Sequence, residues 1–275
     1  MMKLKNTPIK IYNEIAVKRE DLCVSKPGPS FSKMRGLLER MINLKNLGYK
    51  NIGYTETSIS MAGWGIAQIA KEIGLNAIIY DPQYIAYKKM PPHLKKLNYH
   101  RKMWTKFSPT IIPYPAGMAS VNININRIDL LKKYSDAIML PLGLPFQETI
   151  TETAKQAQPL QGKYKSIVIC VGSGTICAGI LRSLSNVNIY GVMTRSGNIK
   201  IKKNKIIKKS KQTLNGLVGK PINLNIIDPG WEYTERSIIE APFPCHPFYD
   251  LKAWEWLQEN KNKLEEPILF WNIGA

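Results

Sequence analysis

The amino-acid sequence predicts an α/β fold with a mostly parallel sheet, for two reasons. Short apolar runs such as SIVICV recur along the 275 residues, and strands that are buried on both faces have continuous apolar sequences. Amphipathic segments separate several of these runs, and strands that alternate with helices form parallel sheets. The candidate strands are 50–55, 76–80, 110–114, 137–141, 166–171, 187–192, 222–227 and 267–271.

The candidate helices follow from apolar spacing and from stop signals. Within MAGWGIAQIAKEIG (61–74), apolar residues recur at helical spacing from Ile66 to Ile73. Gly74 then provides a stop signal, because glycine is common just after a helix. The same kind of pattern predicts helices over 148–157 and 250–261.

Composition and cysteine usage narrow the class of protein. Hydrophobic residues make up 44% of the chain, and this fraction is ordinary for a globular protein. No uncharged apolar run of about 18 residues is present, so we expect no membrane-spanning helix. The N-terminus has charge without an apolar core and predicts no secretory signal. The four cysteines form no CxxC pair and no zinc-ligand spacing, so we expect a reduced, cytoplasmic protein without a metal site.

The chain carries 39 basic and 20 acidic residues, a formal net charge of +19. Such a surplus favours anionic partners such as nucleic acid, but a Lys-, Asn- and Ile-rich composition alone also explains it. The segment 198–211 has seven lysines and predicts a solvated loop or helix face. The segment 88–107 interleaves basic and aromatic residues. This pattern suits phosphate contact with base stacking, although an ordinary amphipathic surface helix is the favoured interpretation.

A glycine-rich turn follows the strongest candidate strand. In SIVICVGSGTICAGIL (166–181), Gly172, Ser173, Gly174 and Thr175 stand between a strand and a helix. Glycines there leave backbone N–H groups accessible, and the helix N-terminus adds partial positive charge, so the turn predicts a phosphate site. A tight turn without a ligand remains the alternative, because the motif is neither a P-loop nor a dinucleotide fingerprint.

A second turn-rich loop, KPGPSFSKMRG (26–36), presents Lys33 at the start of an amphipathic run. A lysine presented by a loop, together with a phosphate site, suggests pyridoxal phosphate. This cofactor needs an amine, a phosphate site and a partner for its pyridine nitrogen. The amine must be partly neutral to react, and burial beside other cations achieves this.

Several segments resemble the fold-type II pyridoxal-phosphate enzymes, nearest the aminocyclopropane-carboxylate deaminase and D-cysteine desulfhydrase branch. KREDL (18–22) and KMRG (33–36) are similar in order and spacing to the opening of that family. GSGTICAG resembles its phosphate loop, PFYDLKAWEWL its PVYxGKxxxGL segment, and ILFWNIGA its terminal strand.

The resemblance implies a role for each matching residue. Lys33 would form the Schiff base with the cofactor, and residues 172–175 would hold the phosphate. Tyr249 matches a tyrosine at the substrate, and Asp250 matches the acidic residue facing the pyridine nitrogen. Asp250 also directly precedes a predicted helix, so capping that helix is its ordinary alternative role.

The segment YTETSISMAGWG (54–65) matches the family loop that grips the substrate carboxylate. Thr57, Ser58 and Ser60 are the expected donors, and Ser60 aligns with a serine that acts near the α-carbon. Ser60 is equally placed to cap the following helix. Two positions depart from the family pattern: Met61 stands where asparagine is usual, and Ile273 stands where a hydroxyl is common.

Three functions fit these residues. The leading hypothesis is a lyase or deaminase that acts on the α-carbon of a small amino acid, in which Lys33, or Ser60 with a neighbour, moves a proton and Tyr249 stands at the substrate. Decarboxylation or racemisation would use the same residues. The second is a cofactor-dependent enzyme that modifies an amino-acid-decorated base on DNA or RNA, as in phage-type hypermodification. The third, prompted by Met61, is a non-catalytic relative that binds the cofactor.

The resemblance also implies the architecture. We expect a two-lobed, three-layer parallel-sheet fold of the tryptophan-synthase-β-like type. Residues 1–45 and 139–275 would form the large cofactor-binding domain, and residues 46–138 a small inserted domain. The family is commonly homodimeric, so a homodimer without membrane association is expected.

Overall fold

The computed structural model describes residues 4–25, 28–84, 89–117, 119–211 and 222–275. In chain order its strands are β1 (Ile9–Tyr12), β2 (Ile15–Arg19), β3 (Asn51–Thr55), β4 (Asn76–Gln83), β5 (Thr110–Pro115), β6 (Ala137–Met139), β7 (Ser166–Val171), β8 (Asn188–Met193), β9 (Leu224–Ile227) and β10 (Ile268–Asn272). Its helices are α1 (Met34–Asn46), α2 (Ala62–Ile73), α3 (Pro92–Trp104), α4 (Ala119–Lys133), α5 (Gln147–Ala157), α6 (Thr175–Ser183), α7 (Ile199–Lys211) and α8 (Asp250–Asn260).

The fold is α/β with parallel sheets, as the sequence predicted, and the chain divides into two compact units. One unit consists mainly of Leu37–Leu144, and the other contains Leu4–Ser25, Ser30–Gly36 and Pro145–Ala275. Each predicted strand is present, with ends shifted by a few residues. Within the described ranges, no helix combines the length and the hydropathy needed to cross a bilayer.

The Leu37–Leu144 unit contains a four-stranded parallel sheet in the order β5-β4-β3-β6. Every residue of β3 is buried, which explains why its sequence is not alternating. Helix α2 ends at Gly74, whose φ of 72° is the left-handed conformation that glycine adopts freely.

Helix α3 is the amphipathic helix that the sequence favoured over 88–107; Lys88 lies outside the described residues. Its Trp104 is fully buried, so this ring is core and not a stacking platform.

The other unit contains a six-stranded sheet in the order β1-β2-β10-β7-β8-β9. All neighbouring pairs are parallel except β1 with β2, which form an antiparallel hairpin. The sequence reading missed this hairpin because its strands mix charged and apolar residues. Asn13 and Glu14 form its tip with φ values of 47° and 67°, the conformation of a two-residue turn that matches strand twist. The central strand β7 is buried along its whole length.

Candidate active site

The last residues of the chain hold the loop that presents Lys33. The N–H of Ser32 donates to the Ile273 carbonyl at 2.9 Å, and the N–H of Ala275 donates to the Ser30 carbonyl at 3.1 Å. Phe31 and Gly274 form an antiparallel bridge between these two contacts. Lys26 and Pro27 lie outside the described residues. The loop is therefore a paired segment, and it delivers Lys33 directly to the first turn of α1.

A buried ion pair fixes the start of α1 to the hairpin. The Arg35 guanidinium donates to both Glu20 oxygens, at 2.9 Å and 3.2 Å, and both side chains are almost fully buried. Thr7 also donates to Glu20, and Arg19 makes a bidentate pair with Asp21 at 2.8 Å and 2.7 Å. The KREDL and KMRG motifs are thus joined by charge-assisted hydrogen bonds, the strong kind. Their fixed spacing is structural, and it positions Lys33.

The structure brings Lys33 to the glycine-rich turn. The turn occupies 172–174 between β7 and α6. The Lys33 amine donates to the Ser173 hydroxyl at 3.1 Å, and the Ser173 and Thr175 hydroxyls are 2.8 Å apart. Gly174 adopts φ 77°, which lets the chain turn sharply into the helix. An amine, two hydroxyls and a helix N-terminus therefore lie together at the carboxyl end of β7, where parallel sheets commonly bind ligands.

Burial changes the acid–base behaviour of Lys33. Burial first, and then the positive charge of Lys209, lower the pKa of Lys33 to about 8. A shift in this direction leaves a useful fraction of neutral, nucleophilic amine near neutral pH. The physical cause is the one anticipated for a reactive lysine, namely burial beside other cations.

Asp250 is a third buried carboxylate of this unit, besides Glu20 and Asp21. Burial raises its pKa to about 7, and the Ile273 N–H donates to its Oδ1 at 2.7 Å. The Cys170 thiol lies 3.4 Å from the same oxygen. The helix cap is Tyr249, and Asp250 is the first residue of α8. The Asp250 carboxylate does not cap this helix but bonds the backbone of Ile273, the residue that follows β10. Ile273 stands where a hydroxyl is common in the family, and its bond to Asp250 comes from the backbone N–H. This bond therefore does not need a polar side chain at position 273.

Tyr249 belongs to an aromatic group next to Asp250. Its hydroxyl is 3.0 Å from the Tyr233 hydroxyl, and its ring centroid is 4.8 Å from that of His246. Tyr233 and His246 were not identified from the sequence, because no spacing links them to the predicted site. The three rings provide flat apolar surface with polar edges, which suits contact with a planar group.

The described residues of this unit fit pyridoxal phosphate. Lys33 supplies an amine with a lowered pKa, and the 172–175 turn places two hydroxyls at a helix N-terminus, a geometry that suits a phosphate. Among the described residues, no lysine or arginine forms an ion pair with Asp250. A buried carboxylate needs a positive partner, and a protonated ring nitrogen is such a partner. The donor set therefore matches the three functional groups of the cofactor.

The three expected substrate donors lie in the Leu37–Leu144 unit, in the turn between β3 and α2. Ser58 is buried, whereas Thr57 and Ser60 are partly exposed. The Ser60 oxygen accepts the Ala62 N–H at 3.0 Å, so Ser60 bonds the first residue of α2 from one position before the helix cap. Met61 is the backbone cap of α2, is buried, and makes no capping side-chain bond.

Glu56 organises this turn and was missed from the sequence. Its carboxyl group accepts the Thr57 N–H at 2.8 Å and the Gly63 N–H at 2.5 Å. Burial raises the pKa of Glu56 to about 8, and a hydrogen bond from Ser60 partly offsets this rise. A Cβ at Gly63 would lie 2.5 Å from Glu56 Oε2, so glycine is required for the close approach. The group therefore holds a proton near neutral pH while fixing the shape of the turn.

The lysine-rich segment 198–211 contains α7, and the exposed positions of this helix fit the expected solvated helix face. Two of its lysines nevertheless contact the glycine-rich turn, which the sequence did not predict. Lys202 Nζ donates to the Gly172 carbonyl at 2.7 Å, and Lys209 Nζ donates to the Ser173 carbonyl. The sequence did contain one indication of this contact. Lys202 and Lys209 are seven residues apart, a separation that places both side chains on one face of a helix.

Gly174→Ala is expected to destabilise the turn. An added Cβ would lie 2.5 Å from Ile206 Cγ1, and the left-handed conformation costs a non-glycine residue about 1–2 kcal/mol. We expect the free energy of unfolding in urea to fall by roughly 2–4 kcal/mol, because overpacking adds to the conformational cost. Gly162→Ala is the matched control, since Gly162 has φ 76° with open space around it. Equal losses in the two variants would show that Ile206 does not constrain the turn.

Comparison with known proteins gives relatives over the whole chain, although no protein-family model matches it. A protein of Pseudomonas phage M6, described as a glycyl-dTMP PLP-dependent decarboxylase, is 33% identical over 290 residues, covering 99% of this chain and all of that protein. The solved structure of an ACC deaminase homologue matches with a TM-score of 0.81 at 19% identity, covering 100% of this chain and 90% of that one. A hydrogen sulfide-producing enzyme from Fusobacterium nucleatum matches with a TM-score of 0.65 at 15% identity, covering 99% and 96%.

Proposed function

The chain belongs to the fold-type II pyridoxal-phosphate-dependent enzymes, and on that premise we propose that it decarboxylates an amino acid carried by a thymidine nucleotide. The observation that carries the proposal is the 33% identity with the phage glycyl-dTMP decarboxylase over 99% of this chain. The solved structures share the fold at 19% identity or less, so they do not favour deamination over decarboxylation.

Each side chain around Lys33 has a part in this reaction. When bound, pyridoxal phosphate withdraws electrons from the α-carbon of an attached amine and so stabilises negative charge there. Lys33 would hold the cofactor covalently, and its lowered pKa favours the neutral form that reacts. The turn of Gly172, Ser173, Gly174 and Thr175 would bind the phosphate. Asp250 would keep the ring nitrogen protonated, and its burial would strengthen that interaction.

The turn between β3 and α2 recognises the substrate in this proposal. Thr57, Ser58 and Ser60 provide hydroxyl and backbone donors that orient the amino-acid portion. Glu56 holds these residues in place through the Thr57 and Gly63 N–H groups. Tyr249, which contacts Tyr233 and His246, offers its ring to the planar base. Met61 replaces a polar side chain with an apolar one and distinguishes this site from that of the deaminase branch.

The chemistry limits how the amino acid is attached to the base. Condensation with an aldehyde requires a primary amine, so the substrate carries a free amine on the carbon that bears the carboxylate. The bond between that carbon and the carboxylate breaks, CO₂ leaves, and a proton takes its place. The product is a base with a primary amine. A glycine attached through its nitrogen would lack the required group and is predicted to be inert.

The test is incubation of the holoenzyme with thymidine 5′-monophosphate that carries a carbon-linked glycyl group labelled with ¹³C in its carboxylate. We expect labelled CO₂ and an aminated nucleotide, detected by mass spectrometry, and neither product with Lys33→Ala. The nitrogen-linked isomer and free amino acids serve as controls. Release of ammonia and a keto acid from free amino acids would support the lyase or deaminase instead. Cofactor binding without any turnover would support the non-catalytic relative.

The same modified base in single-stranded and duplex DNA tests the form of the substrate. The net charge of +19 favours a polyanion, and binding through phosphates weakens steeply with salt. If the polymer is the substrate, turnover of the oligonucleotide exceeds that of the mononucleotide and falls as salt rises. Equal, salt-insensitive turnover of the two would identify the mononucleotide as the substrate.

A further inference from the structure

One face of α7 contacts three consecutive residues of the phosphate turn. Lys202, Ile206 and Lys209 are separated by four and three residues, which is the spacing of neighbours along one helical face. Lys202 Nζ lies 2.7 Å from the Gly172 carbonyl, and Lys209 Nζ donates to the Ser173 carbonyl. The Ile206 side chain packs against Gly174 and occupies the space that a larger side chain at position 174 would need. The turn is therefore clamped by a helix that is distant in sequence.

This clamp concentrates positive charge without a protein counterion. In the described part of the chain, no carboxylate forms an ion pair with Lys202 or Lys209. Burial first, and then the positive charges of Lys202 and Lys205, lower the pKa of Lys209 to about 8. Carbonyl oxygens satisfy hydrogen bonds but do not neutralise two partly buried ammonium groups, and uncompensated charge is expensive. An anion bound at the turn would therefore stabilise the ammonium groups of Lys202 and Lys209.

The positive charge of Lys209 also acts on the Lys33 amine. This amine donates to the Ser173 hydroxyl, on the residue whose carbonyl Lys209 contacts. Within the described ranges, the positive charge of Lys209 in α7 lowers the pKa of Lys33, and Cys170 of β7 raises it. Lys202 and Lys205 act on Lys209 in the same lowering direction, and Cys177 of α6 acts in the opposite one. Ser173 thus links the two lysines, because Lys33 contacts its hydroxyl and Lys209 contacts its carbonyl.

We propose that Lys209, assisted by Lys202, is a positioning residue that supplies the positive wall of the cofactor-phosphate site and favours the neutral form of the Lys33 amine. The first role follows from attraction to a phosphate that carries up to two negative charges, and the second from repulsion between neighbouring ammonium groups. Phosphate turns of this kind ordinarily act through backbone N–H groups and the helix N-terminus. Here a second helix adds side-chain charge from the carbonyl side of the turn.

The experiment uses Lys209→Met in the full-length protein. Titration with pyridoxal phosphate, followed by visible absorbance, gives the Kd, and a parallel titration uses pyridoxal without its phosphate. We expect a Kd for pyridoxal phosphate that is roughly tenfold weaker, the size of one charge-assisted hydrogen bond. The Kd for pyridoxal should change less than twofold. In the cofactor-free protein, the rate of Lys33 acetylation against pH, resolved by peptide mass spectrometry, should show a midpoint raised above about 8.

Three further variants make the result decisive. Lys209→Arg retains the charge and should keep both the affinity and the midpoint near the wild-type values. Lys209→Gln retains a hydrogen-bond donor without the charge, and should reproduce the losses seen with Met even if the Met variant folds poorly. Lys208→Met is the matched control, because Lys208 is exposed on another face of α7. Unchanged affinity and midpoint in the Met and Gln variants would overturn the proposal, as would equal losses for pyridoxal and pyridoxal phosphate.

This inference rests on cofactor binding and not on the proposed decarboxylation. The titrations and the acetylation profile contain no substrate. If the labelled nucleotide gives no CO₂, the role of Lys209 remains testable in the same way. If Lys209 proves neutral, decarboxylation remains an independent question.

Discussion

Lys33→Ala is expected to abolish the visible absorbance of the bound cofactor and to lower turnover about 10³-fold or more. Among the described residues, Lys33 is the only one whose side-chain nitrogen bonds the Ser173 hydroxyl. The other nitrogen at that hydroxyl is the backbone N–H of Thr175. The proposed phosphate contacts of the 172–175 turn remain, so the cofactor should still bind, more weakly and without its covalent link. Absorbance spectra and single-turnover assays of the two proteins, at equal cofactor saturation, measure both effects.

Two controls separate the nucleophile from the charge. Lys33→Arg keeps a cation at the turn but cannot form the covalent link, so it should behave like Lys33→Ala. Lys163→Ala removes an exposed lysine from the same unit and should leave the spectrum unchanged. A small primary amine added to the Ala variant should restore part of the turnover. Retention of the visible band and of turnover in Lys33→Ala would show that another amine holds the cofactor.

Arg35→Met is expected to cost about 3–5 kcal/mol of unfolding free energy, because it leaves Glu20 as a buried carboxylate with too little positive charge. The lost contacts are two hydrogen bonds to Glu20, at 2.9 Å and 3.2 Å, between side chains that are nearly inaccessible to water. Lys18 stands 3.7 Å from the same carboxylate and moderates the loss. Urea unfolding of the cofactor-free proteins gives the difference.

The double variant Glu20→Gln with Arg35→Met tests the cause. If the cost comes from an unpaired carboxylate, removing the charge should recover at least half of the loss. Lys155→Met serves as the control, because the Lys155–Glu152 pair is exposed and such pairs contribute at most about 1 kcal/mol. A loss in Arg35→Met as small as that of the control would mean that the KREDL and KMRG motifs do not stabilise each other.

The sequence predicted those parts of the fold whose signal is local. Strand β7 is buried throughout, so its apolar run identified both the strand and the turn after it. Gly74 ended α2 because glycine alone adopts its conformation without strain. The hairpin of β1 and β2 was missed because it contains buried charges whose partners lie elsewhere in the chain, as those of Lys18 do at the Thr7 carbonyl and the Gln156 side chain. Burial of a charge is a tertiary event and leaves no periodic pattern.

The candidate site divides in the same way. Lys33, the 172–175 turn and Asp250 were predicted from motifs and resemblance, and the structure places them in one unit. Glu56, Lys202 and Lys209 were not predicted as site residues. Each acts on a neighbour that is fixed by folding, as Glu56 does on Gly63 and Lys209 on Ser173. A glutamate or a lysine has the same composition and local pattern whether it is solvated or buried against a turn.

By itself the sequence determined the α/β class, the cofactor and the lysine that is expected to hold it, because these depend on strand burial, turn chemistry and motifs read along the chain. Only the tertiary structure decided the electrostatics. It brought α7 against the turn, buried Asp250 until its pKa rose to about 7, and lowered the pKa of Lys33 to about 8. The physical reason is that a pKa depends on the solvation and the charges around a group, and these come from segments far apart in the chain.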